Sequence, residues 1–127
     1  MQSQIGNRKI GSRHAVTLEV QGEVSPSDAV TVVRDVGAMV ESTTDLIYVR
    51  VGKVRLGQLG RPELGSVAET WTRGPIPNDL PIVVSAPDAV AYGVVRIVFA
   101  LGRNDNARAF RNDESAEAWI AALPARG

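Results

Sequence analysis

Apolar positions along this chain recur with two different periods, and the switches between them outline its elements. Over residues 14–20, Val16, Leu18 and Val20 fall on every second position, the signature of a half-buried strand near a sheet edge. Ala29, Val33, Val36 and Val40, flanked by Val32 and Met39, then recur at helical spacing. Their start signal is strong: Ser25 can cap, Pro26 suits the first helical position, and Asp28 completes a capping box. Residues 46–51 form a near-continuous β-prone run of the kind found in central parallel strands. Pro62 opens a second helix with Leu64, Val67, Ala68 and Trp71 as its stripe, and the turn-rich residues 74–78 stop it.

Residues 80–84 read as the next buried strand, with Pro81 tolerated at its beginning. Ser85 and Asp88 repeat the Ser-x-x-Asp helix-start pattern around Pro87. Val90, Val94, Ile97, Val98 and Leu101 are the expected buried side of the third helix, and Gly102 ends it. A short strand over 107–111 follows, then a helix capped by Asn112, with Ala116, Trp119, Ile120 and Leu123 as its stripe and Pro124 as its stop. Residues 1–11, polar and carrying Gly6 and Gly11, are expected to be a frayed or extended lead-in to one domain over 12–127. This regular alternation predicts an α/β domain: a four- to five-stranded, mostly parallel sheet with right-handed crossovers and about four covering helices.

Composition narrows the function classes. A chain of 127 residues fits a single hydrophobic core, and 44% hydrophobic against 22% charged residues argues against wholesale disorder. Fourteen basic residues balance fourteen acidic ones, which argues against a general binder of nucleic acid or anionic membranes. With no cysteine, disulfides, thiol redox chemistry and cysteine-based zinc sites are excluded. The one histidine, His14, begins a strand and offers neither a Ser-His-Asp arrangement nor a histidine-rich metal set. The polar amino terminus lacks the apolar core of a secretory signal, and no apolar run reaches the roughly 18 residues of a spanning helix. The expectation is a cytoplasmic protein without cofactor, metal or catalytic activity.

Two groups of residues are candidates for binding. Residues 52–60 are glycine-rich and sit where a phosphate loop would, but Gln58 and Leu59 replace its lysine and hydroxyl, leaving a plain crossover loop. Arg50, Lys53, Arg55 and Arg61 cluster around that loop. Arg50 falls near the carboxyl end of a central strand, beside helix amino termini that favour anions, so a small anionic ligand is one reading. The other is a solvated rim of basic residues pairing with acids. Tyr92 and Arg96 share a face of the third helix, while Gly93 between them costs about 1 kcal/mol of helix propensity relative to alanine. Close approach of a backbone, a ligand or a second subunit would offset that cost. Arg50, Tyr92 and Arg96, with Ser85 and Asp88 at the helix mouth, are therefore the candidate ligand-binding residues. In the alternative, Tyr92 packs on a neighbouring helix and Arg96 pairs with a carboxylate. Trp71 and Trp119 occupy stripe positions and are expected to anchor the core.

The blocks A-P-D-x-x-A-Y-G-x-x-R, residues 86–96, and A-F-R-x-x-x-x-A-x-A-W-I, residues 109–120, resemble the SpoIIAA-like, STAS-related small α/β proteins. Tyr92, Gly93, Arg96, Phe110, Arg111 and Trp119 match that pattern, whereas Tyr48 stands where such relatives carry an acid. The resemblance implies a noncatalytic regulatory or protein-interaction module with a protein partner or a homodimer. STAS-type relatives break their dock by phosphorylating a serine after a central strand. Here residues 51–65 contain no serine, and Ser66 comes inside the helix. The fold is also similar to that of CRAL-TRIO, Sec14-like carriers, which implies the alternative of a small-molecule or lipid-binding protein using a pocket near Arg50, Tyr92 and Arg96.

Overall fold

Among the described residues, the computed structural model has nine elements, with strands and helices alternating from the second strand onward. They are β1 (Gln2–Ile10), β2 (Arg13–Glu23), α1 (Pro26–Met39), β3 (Leu46–Arg55), α2 (Arg61–Arg73), β4 (Ile82–Ser85), α3 (Ala89–Gly102), β5 (Ala107–Phe110) and α4 (Asp113–Ala121). The structure describes residues 1–55, 61–74, 76–77, 79–102 and 106–123. Gln58, Leu59 and Pro124, singled out above, lie outside them, as does the Arg61 side chain.

The five strands lie in the order β1-β2-β3-β4-β5. β1 runs antiparallel to β2, and every later pair is parallel. The α/β class and the mostly parallel five-stranded sheet with four helices are thus as the hydrophobic pattern predicts. Because each crossover steps the same way across the sheet, a common hand puts α1, α2 and α3 on one face. That face holds Val16, Leu18, Ile47, Val49, Ile82 and Val84 against Val33 and Val36 of α1 and Ala91 of α3. The opposite face holds Ala15, Leu46, Tyr48 and Val83 against Ala116 and Ile120 of α4. Leu46, Ile47, Tyr48 and Val49 therefore point alternately into two cores, which is why their run shows no polar alternation.

Local signals account for the helix starts of α1 and α4. Ser25 and Asp28 form the reciprocal capping box, and the Asn112 side chain accepts from the Ser115 N–H at 2.7 Å. The third helix departs from expectation. Ser85 is the last residue of β4 rather than a cap, and the Asp88 carboxylate accepts the Ala91 N–H at 3.0 Å in its place. Its buried side is only partly as expected: Val98 is buried, but so is Ala91, while Val90, Ile97 and Leu101 are exposed. The helix is apolar around most of its circumference, so its period does not select a face; the fit of small Ala91 against the sheet does.

The amino terminus is a second departure. Residues 2–10 pair with β2 along their whole length rather than fraying. The two strands join through Gly11 and Ser12, with Gly11 at a φ of 60°. A two-residue Gly-Ser connection is a recognised hairpin signal, and the polar character of β1 suits an edge strand. β3 likewise runs on through Gly52 to Arg55, where Val54 pairs with Gly22 and Arg55 with Glu23. Residues 52–55 of the expected loop are therefore strand, and the rest of it lies outside the described residues.

Candidate functional site

The face carrying α4 is only partly covered. α4 begins after β5 and lies over the amino-terminal half of the sheet, leaving the carboxyl ends of β2, β3 and β4 open. A row of polar residues lies there. Gln4, Glu19, Arg50 and Ser85 are successive register partners across β1, β2, β3 and β4, so a single row brings them side by side. They border a cleft of about 370 Å³ closed at one end by Asp113, the first residue of α4.

Arg50 organises this row. Its Nε and Nη2 donate to Asp113 Oδ2 at 3.1 and 2.7 Å, and its Nη1 donates to Glu19 Oε1 at 2.6 Å. Ser85, fully buried, donates from Oγ to Asp113 Oδ1 at 2.5 Å. The hydrogen bond to Asp113, helped by both carboxylate charges, raises the guanidinium pKa despite its desolvation. At Asp113, burial pushes the pKa up, but hydrogen bonds from Ser85 and Arg50 and the Arg50 charge outweigh it and hold the group ionised below its ordinary range.

One layer deeper, the wholly buried Tyr48 donates its hydroxyl to Glu117 at 3.3 Å, and Glu117 also accepts from Arg8 at 2.6 Å. Burial first, then the Asp113 and Glu117 charges, push the Tyr48 phenol well above its usual pKa. The acids that act on Tyr48, Asp113 and Glu117, both come from α4.

The expected site residues divide between the two faces. Arg50 and Ser85 meet at the cleft. Asp88, Tyr92 and Arg96 belong to the α3 side, where Asp88 caps and Tyr92 lies between two guanidinium groups. Arg96 is 5.9 Å from its ring centroid and Arg111 is 5.2 Å away. Tyr92 also packs on the core beneath α3. Arg50 and Ser85 line the cleft, whereas Asp88, Tyr92 and Arg96 are not among its lining residues. Glu19, Asp113 and Glu117 were the missing members. Capping rules alone explain an acid at the start of α4, and only strand register places Glu19 beside Arg50.

Electrostatics decide what the cleft can hold. One guanidinium faces two carboxylates, so the group carries net negative charge when ionised. An incoming anion meets that net negative charge, which fits the rim reading of Arg50 rather than an anion site. A carboxylate held ionised this firmly is also a weak base toward the Ser85 hydroxyl. His14 lies at the other end of β2, about 17 Å from Glu19 along the strand at 3.3–3.4 Å per residue. No family model matches this chain, and neither the curated proteins nor the solved structures give a match. Among the described residues, no helix is long and apolar enough to cross a membrane, and no group of three or more metal-binding side chains occurs.

Proposed function

We propose that this chain is a noncatalytic interaction module of the SpoIIAA-like type that docks through α3, with a second copy of the chain as the occupant. One observation carries this reading. Val90, Ile97 and Leu101 fall on one stripe of α3 at i, i+7 and i+11 and are 67%, 47% and 39% exposed. A stripe of large aliphatic side chains facing water is the usual mark of an association surface.

Three further features suit self-association. The stripe is uncharged, and Arg96, the helix's single charge, lies well around the helix toward Tyr92. Two copies therefore meet apolar against apolar, and the formally neutral chain adds no net repulsion. Gly93, beside the stripe, has no atom within 4 Å of where its Cβ would stand. Among the described residues nothing packs there to offset its cost to the helix, whereas a closely crossing second helix does. At the cleft, Ser85 is locked to an ionised Asp113, which supports a docking role over a catalytic one.

Sedimentation analysis across a concentration series tests the proposal. The expected result is a monomer–dimer equilibrium that Ile97→Asp shifts to monomer while the circular dichroism spectrum stays unchanged. A wild-type chain that stays monomeric at its highest soluble concentration refutes self-docking.

A further inference from the structure

Between the sheet and the three helices on its covered face, the side chains leave a cavity of about 150 Å³. Leu18, Val49 and Val84 form its floor, and Val32 of α1, Val67 of α2 and Phe99 of α3 contribute to its roof. Among the described lining residues, no side chain carries a hydroxyl, a carboxylate, an amide or a guanidinium. The space exists partly because the helix residues over it include the small Ala29 and Ala91. It opens toward the carboxyl ends of β2 and β3, where Val20, Val51 and Val54 are only half-buried.

Water is a poor occupant of such a space, because it needs two to four polar partners and the Trp71 indole N–H is the one side-chain donor among the described lining residues. A charged guest fares worse, since the described walls carry no charged side chain to replace its hydration. Dry aliphatic cavities of roughly this volume do accept molecules of benzene's size. We propose that this cavity is a binding site for a small uncharged hydrocarbon group, either an aromatic ring or a short aliphatic chain, admitted from the carboxyl end of the sheet. Its volume is too small for a whole lipid. It lies across the sheet from Glu19, Arg50 and Ser85, and its walls exclude Val90, Ile97 and Leu101. The proposal is therefore independent of docking through α3.

Methyl-resolved NMR of the full chain, titrated separately with toluene and with 1-hexanol, tests it. The expected result is saturable shifts at the Val49, Val67 and Val84 methyls, together with a rise in melting temperature. Ala91→Leu, and independently Ala29→Leu, fill the space from different helices and are expected to abolish those shifts. Tighter binding of toluene identifies a ring as the natural occupant, and tighter binding of 1-hexanol identifies a chain. A wild-type protein with no saturable shift for either probe overturns the proposal. So do shifts that persist unchanged in a folded filled variant.

Discussion

Asp113 shows how one side chain serves several neighbours at once. It accepts from Ser85 through one oxygen and from Arg50 through the other, at the first position of α4. Asp113→Ala leaves the buried Ser85 hydroxyl without this acceptor, and chemical denaturation is expected to show a loss of about 1–2 kcal/mol. The ion pair with Arg50 adds little, because both groups are more than a third exposed and solvent screens them. The folded-state pKa of Asp113 lies below its ordinary value of 3.8, so its contribution is complete above that value. As pH falls through the depressed pKa, the charge-dependent part of the contribution disappears. Wild type and Asp113→Ala are therefore expected to differ by a constant amount near neutral pH and by less in acid below 3.8, where the neutral carboxyl still accepts from Ser85 but loses its charge-assisted part. Arg50 was legible in the sequence as a strand-end cation. Its partners were not, because Glu19 and Asp113 are far apart in the chain and meet only through strand register and the return of α4.

At the scale of elements, starts are encoded locally and faces are not. The capping box of α1 depends on four consecutive residues and appears as expected, with the Asp28 N–H donating to Ser25 Oγ at 3.1 Å. Ser25→Ala is expected to cost about 1 kcal/mol, measurable by denaturant unfolding. The same Ser-x-x-Asp spelling at Ser85 does not make a box, because β4 extends through Ser85 and takes its hydroxyl to α4. α3 carries too many aliphatic residues for periodicity to choose among them. Gly93→Ala separates the two roles of that helix. With open space around the missing Cβ, the monomer is expected to gain up to about 1 kcal/mol in thermal or denaturant unfolding. In the same variant, sedimentation is expected to show weaker self-association if a second helix crosses there. Equal dimerisation by Gly93→Ala and wild type places the crossing elsewhere on the stripe.

For the whole molecule, the asymmetry of the two sheet faces governs everything else. Three crossover helices cover one face, while α4 covers part of the other and leaves a polar row beside it. β1 guards the edge of β2 and brings Ile10 into the core beneath α4. Removing residues 1–11 is expected to lower the melting temperature and promote aggregation, seen by light scattering, because a long strand edge becomes free to pair. The amino-acid sequence by itself determined the α/β class, the order of elements from β2 onward and the capping of α1 and α4, since these depend on neighbours within a few residues. It also carried the hairpin at Gly11 and Ser12, in a signal of only two residues. The tertiary structure alone decided which side of α3 meets the sheet, which acids meet Arg50, and that Tyr92 and Arg96 stand apart from Ser85. Those outcomes depend on which face of the sheet each element reaches, and crossover direction and strand register set that across the whole chain.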